Sequence, residues 1–188
     1  MVKKQKVLKT DSSIEPYIHT KVLATLCHCF SGTEVADISL CEQLAEVITH
    51  YVYQQEENPI SSETILSIIK AALTETGYQN AAEVLCEHHN KRCVNRHRLE
   101  ILQADLSKFK SIKDLHAAKK HRWNKSDIAR NLMESYNLDR QTARTIASMV
   151  EDKVFALGIT KIPSSLLKQL ILNDAASVLT AEDELQTV

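Results

Sequence analysis

Cys86, His88, His89, Cys93 and His97 crowd one stretch of the chain, and His89, Cys93 and His97 repeat at i, i+4 and i+8. These are zinc-ligand types, but a structural zinc site needs four ligands converging, usually from two segments. Cys27-His28-Cys29 offers a second segment, yet no Cys-x-x-Cys pair occurs. The expected reading is no metal site, with half-buried cysteines and solvated histidines. A second constellation is charge. Lys91 to Arg130 holds twelve Lys or Arg against four Asp or Glu, within a chain whose net charge is −1. Such segregation suits a nucleic-acid face, although Phe109 and Trp123 are the only aromatics there to stack on bases. Serines, histidines and aspartates show no nucleophile elbow, no paired carboxylates and no metal-activating cluster, so an enzyme is not expected.

The elements that position these groups follow from composition. The 188 residues are 44% hydrophobic and 25% charged, with three Gly and three Pro. Gly-rich phosphate loops and turn-dense β folds need many residues tolerant of positive φ, so a mainly α protein is expected. No apolar run reaches the ~20 residues that span a bilayer, and Met1–Thr10 lacks the apolar stretch of a secretory signal. Five cysteines without a disulfide-like spacing suggest reduced thiols and a cytoplasmic setting. Lys6–Lys9 and Ser13–Tyr17 flank a polar turn and predict a hairpin. Helical spacing then takes over, in Val22, Leu23 and Leu26, and in Leu40, Leu44, Val47, Ile48 and Val52. Asn58-Pro59 breaks the pattern. Ser61 or Ser62 caps the next helix, with Glu63 in its first turn, and a further helix is expected from about Ala81 to Leu102.

The second half repeats the first. A shift of 102 places Leu44, Ala45, Ile48 and Val52 on Ile146, Ala147, Val150 and Val154, and Ile60, Ser62, Ile65, Ile68 and Ile69 on Ile162, Ser164, Leu167, Leu170 and Ile171. A shift of 106 brings Tyr17, Val22 and Leu26 onto Trp123, Ile128 and Leu132. Ser107–Lys120 is charged and does not alternate, so the second copy is expected to lack the hairpin. The predicted organisation is a first domain over 1–104, a basic linker over 105–122, a degenerate second copy over 123–175 and an acidic tail over 176–188.

Four motifs in the first half fall in register with a known family. They are Val7-Leu8-Lys9-Thr10, Glu15-Pro16-Tyr17 followed by Lys21-Val22, Ile60-Ser61-Ser62-Glu63-Thr64-Ile65, and the stretch from Tyr78 to Lys91-Arg92. Over residues 6–98 the chain resembles the ATP-cone, a small nucleotide-binding regulatory domain of ribonucleotide reductases and of the repressor of their genes. The resemblance implies a β-hairpin lid on a helical bundle; the second helical bundle that follows it in the chain is expected to have no hairpin. It implies ATP or dATP as regulatory ligand, with Mg2+ accompanying the phosphates. The implied site is Val7, Lys9, Thr10, Glu15, His19, Lys21, Ser61, Ser62, Lys91 and Arg92: cations for phosphates, Glu15 for the nucleoside, and the capping serines at a helix N-terminus. Thr10 stands where the family has Arg, Ser12 where it has a turn Gly, and Ile18 where it has a polar residue. The expected function is nucleotide sensing that controls self-association, or association with a protein of nucleotide metabolism. The competing readings are a nucleic-acid-binding regulator using 91–130 and a nucleotide-independent interaction module. No membrane partner is expected.

Overall fold

In the computed structural model, which describes residues 4–10, 12–31, 37–103 and 119–186, the described residues are mainly helical and form seven helices. In chain order they give β1 (Lys6–Leu8), β2 (Ile14–Pro16), α1 (His19–Phe30), α2 (Ile38–Gln54), β3 (Ile60–Ser61), α3 (Ser62–Glu75) and α4 (Gln79–Arg98). Then follow β4 (Glu100–Leu102), β5 (Lys120–Arg122), α5 (Lys125–Tyr136), α6 (Arg140–Ala156), β6 (Lys161–Pro163) and α7 (Ser164–Gln186). No helix among the described residues is long and apolar enough to cross a membrane. The chain divides into two compact units, Met1–Lys91 and Arg92–Val188, so the boundary falls within α4.

In the first unit β1 is the central strand, antiparallel to β2 and parallel to β3, with Val7 opposite both Glu15 and Ile60. The hairpin is as the sequence predicts; β3 is an addition. It forms because Ile60 carries the chain from the Asn58-Pro59 break into the core, where it is wholly buried. The core joins Val22, Leu26 and Phe30 of α1, Leu44, Ile48 and Val52 of α2, and Leu73 of α3 to Ala81, Ala82 and Leu85 of α4. Ser61 is the cap of α3, its hydroxyl accepting from the Thr64 N–H at 2.9 Å. Gly77 ends that helix at φ 86°, where the Tyr78 N–H turns back to the Leu73 carbonyl at 2.8 Å.

The turn between β1 and β2 places Ser12 at φ 64°. A side chain in this left-handed region is strained by roughly 1–2 kcal/mol, while glycine is not. Ser12→Gly is therefore expected to raise the stability of the first unit, by ~1 kcal/mol at most once glycine's extra unfolded-state freedom is counted. Urea denaturation checks this as a higher midpoint with an unchanged slope.

The second unit corrects the expected architecture. It has its own hairpin: β4 pairs antiparallel with β5 and parallel with β6, in the order β5-β4-β6, with Ile101 opposite both His121 and Ile162. That is the topology of the first sheet. The hairpin escapes a pattern search because its strands are three residues each and β5 is exposed at every position, which removes the alternation. The connection also spans 103–119 instead of a short turn, and 104–118, most of the expected linker, lie outside the described residues. Consequently the helix predicted to reach Leu102 stops at Arg98, because Glu100–Leu102 pairs into the second sheet. The acidic tail is likewise corrected, since α7 runs on to Gln186. Val178 packs on the second core, and Glu182 accepts a hydrogen bond from the Thr142 hydroxyl at 2.7 Å.

Core positions matched by the repeat share their burial. Ile146, Ala147, Val150, Val154 and Ile162 are buried, as are their counterparts Leu44, Ala45, Ile48, Val52 and Ile60. The Tyr17 N–H donates to the Gln5 carbonyl at 3.0 Å, as that of Trp123 does to Leu99 at 3.1 Å. The capping serine does not repeat: Ser61 corresponds to Pro163.

Candidate nucleotide cleft

A cleft of about 180 Å³ opens in the first unit between the hairpin, the start of α1 and the first turns of α3. Val7, Lys9, Glu15, Lys21 and Ser62 all line it, although they lie up to 55 residues apart in sequence. Tyr17, Val22, Ile65 and Ile69 give it apolar walls. The hairpin register explains how these groups meet. Val7 and Glu15 are directly opposite, so both side chains leave the same face of the sheet. Glu15 is 4% exposed. Its carboxylate lies 4.0 Å from the Lys9 ammonium and 3.6 Å from that of Lys21. Lys21 is about half exposed, so its charge stays largely solvated at the mouth. Two cations on one carboxylate leave a net positive charge at the opening, beside the N-terminal turn of α3.

The other predicted residues lie elsewhere. Thr10 is exposed on the hairpin turn. His19 turns to α2, where its Nδ1 and the Thr49 hydroxyl are 2.8 Å apart, and the Tyr17 hydroxyl meets the same Thr49 at 2.9 Å. Burial pushes the Tyr17 phenol up, against the lowering effect of the Thr49 hydrogen bond. Ile18 lines the cleft in place of a polar group. Ser61 is engaged as the helix cap. Lys91 is exposed on α4 and is not among the lining residues. Arg92 belongs to the second unit, where its guanidinium binds Glu151 and, at 2.9 Å, Asp152. The expectation that Lys91 and Arg92 complete the cleft is corrected to that extent.

Sequence reasoning missed the most highly charged cluster. Glu151 is fully buried on α6. Arg96 binds it bidentately, with both N···O distances at 2.8 Å. The Trp123 indole N–H donates at 3.0 Å, the Lys125 ammonium lies 3.6 Å away, and Arg92 completes the shell. Burial raises the carboxyl's pKa, but the Arg96 hydrogen bonds and the charges of Lys125, Arg96 and Arg92 outweigh it and pull the group down to about 2. For Lys125 the balance is reversed: desolvation exceeds the attraction of Glu151 and brings the ammonium down to about 8. The signal was present in the repeat. Shifts of 102 and 106 turn Thr49, Tyr17 and His19 into Glu151, Trp123 and Lys125, replacing a neutral hydrogen-bonded trio by a charged one at the same place in the fold.

Among the described residues no three His, Cys, Asp or Glu side chains are placed to hold a metal ion. Cys29 and Cys41 are buried, and burial raises both thiols to about 11, so they are poor nucleophiles. The His28 and His88 rings pack 4.4 Å apart between α1 and α4. No family model matches this chain, and no curated protein is similar to it.

Proposed function

We propose that the first unit is a nucleotide sensor that takes ATP or dATP in the cleft beneath its hairpin. The observation that carries this reading is the convergence of Lys9, Glu15, Lys21 and Ser62 on one cleft. At about 180 Å³ the cleft is smaller than the ~300–1,000 Å³ of an ordinary small-molecule pocket. It therefore lodges the nucleoside against Tyr17, Ile65 and Ile69, while the phosphates run into the opening and exchange solvent for Lys9 and Lys21. Binding a polyanion there draws the Lys9 and Lys21 ammonium groups from Glu15 towards the phosphates. Mg2+ would travel with the phosphates. The part of the hairpin placed to respond is β2, the edge strand, which pairs with β1 alone among the described strands. Ligand affinity that differs between two hairpin positions would couple to self-association or a protein partner by ~1–3 kcal/mol.

The second unit takes no nucleotide on this reading. The counterparts of Lys9, Glu15 and Lys21 are Gln103, His121 and Asp127. The charge at the cleft mouth is thereby reversed on α5, and binding is one nucleotide per chain. Thermal denaturation with ATP, dATP, ADP and GTP tests this. Millimolar ATP or dATP is expected to raise the melting temperature in proportion to RT ln(1 + [L]/Kd), and Lys9→Ala or Lys21→Ala to remove most of the shift. An absent shift with every adenine nucleotide overturns the reading.

A further inference from the structure

Charge is divided unevenly between the two units. Up to Lys91 the sequence has seven Lys or Arg against twelve Asp or Glu, a net of −5; beyond it, sixteen face twelve, a net of +4, and all seven arginines lie there. Part of this positive charge is consumed internally. Arg92, Arg96 and Lys125 are spent on Glu151, and Arg144 donates to the Ser126 hydroxyl at 2.9 Å. Of the rest, Arg98, Lys119, Lys120, Arg122 and Lys161 lie on or beside the second sheet, while Arg130, Arg140, Lys153 and Lys168 are spread over the helices. β5 is an edge strand, and its three residues, Lys120, His121 and Arg122, are all exposed. Their counterparts in the first unit are Ile14, Glu15 and Pro16, so a strand that presents a buried carboxylate to the cleft there has become wholly basic here. The register sets Arg122 and Lys161 on either side of Glu100, and Lys120 two residues along, all on one face of the sheet. Ile162 is buried on the other face; Leu102, opposite Lys120 on this one, is buried too, so the open part of this face surrounds Glu100, Arg122 and Lys161. Glu100, 3.7 Å from the Lys120 ammonium, is the single acidic residue of this sheet. Lys119 and Arg98 flank it, both exposed.

We infer that this face of the second unit binds the phosphate backbone of duplex nucleic acid. Lys120 and Arg122, alternate residues of β5 about 6.8 Å apart, and Lys161, two strand spacings of about 4.8 Å away on β6, present three cations to a run of backbone phosphates. Single-strand recognition is disfavoured because it requires exposed aromatics for base stacking, and Trp123, next to β5, is buried. Base-specific contacts are not part of the inference; the binding is electrostatic.

The test is fluorescence anisotropy of a labelled 20-base-pair DNA with the full chain, without nucleotide, at 50 and 200 mM salt. Neutralising about three phosphates predicts a salt slope near −2.7, so affinity should fall roughly 40-fold between the two conditions. Lys120→Glu/Arg122→Glu should weaken binding more than tenfold at 50 mM salt and bring the slope to about −1. Lys161→Glu, on the other flanking strand, is a second variant with the same direction. All three positions are exposed, so circular dichroism should be unchanged. Lys9→Ala should bind as the parent does, which separates this inference from the nucleotide reading. Absence of binding at 50 mM salt, unaltered binding by both variants, or preference for a single strand or for phosphatidylserine vesicles overturns it.

Discussion

Glu151→Ala is expected to unfold the second unit while leaving the first intact. The substitution strands Arg92, Arg96 and Lys125 around a buried void and removes the acceptor of the Trp123 indole. Deleting one partner of a buried ion pair costs about 3–5 kcal/mol, and the low end applies here, because Arg96 is 39% exposed and Arg92 keeps Asp152 while Lys125 loses the carboxylate beside it. A domain of this size loses ~4–8 °C of melting temperature per kcal/mol, so the transition should fall by more than ~10 °C. Glu151→Gln keeps the shape and one acceptor oxygen and should lose less. The same cluster sets the pH response. The carboxyl lies at about 2 in the folded chain against an ordinary 4.5, so its stabilisation is complete above about 4.5 and is lost as pH falls towards 2. Lys125 acts at the other end. With its ammonium brought down to about 8, the unfolded chain binds a proton that the folded one has released between about 8 and 10.5, and stability rises across that interval. Lys125→Met should abolish this alkaline rise. Calorimetry across pH 2 to 10.5 reads both limbs.

Phe30→Ala is expected to do the reverse, unfolding the first unit and abolishing its nucleotide response. Phe30 is 2% exposed at the end of α1, and its ring meets Tyr78 edge-on with centroids 5.1 Å apart. Truncating a buried Phe typically costs about 3–5 kcal/mol, because the cavity adds to the lost transfer energy. The cleft depends on this packing, since α1 carries Lys21, Val22 and Thr25 into it. The thermal shift with ATP should therefore vanish in Phe30→Ala, while the transition of the second unit stays within a few degrees of the parent. In Glu151→Ala the shift should persist. A single transition that falls in both variants would show the units to melt as one.

Much of the helical architecture was determined by the sequence alone. Apolar residues at i, i+3, i+4 and i+7 fix the buried faces of α1, α2, α5 and α6 wherever they lie in space, because an amphipathic helix has one way to hide that stripe. The repeat at shifts of 102 and 106 follows from the same cause, since a duplicated core keeps its volumes. The N-cap of α3 was legible to within one residue, Ser61 or Ser62, because it rests on a local hydrogen bond that one hydroxyl accepts from a backbone N–H three residues on. Tertiary structure decided the rest. Strands as short as β3 to β6 have no periodicity to read, and their identity comes from the ladder partner, which sits up to 61 residues away. Pairing with β6 is what takes Glu100–Leu102 out of the preceding helix. Lys9, Glu15, Lys21 and Ser62 were nameable as charges and a helix-start serine, but their meeting depends on the Val7–Glu15 and Val7–Ile60 registers. Arg92 shows the converse. Its charge suited the cleft, yet a buried carboxylate 59 residues onward competes for it, and in low dielectric the buried partner wins over a solvated one.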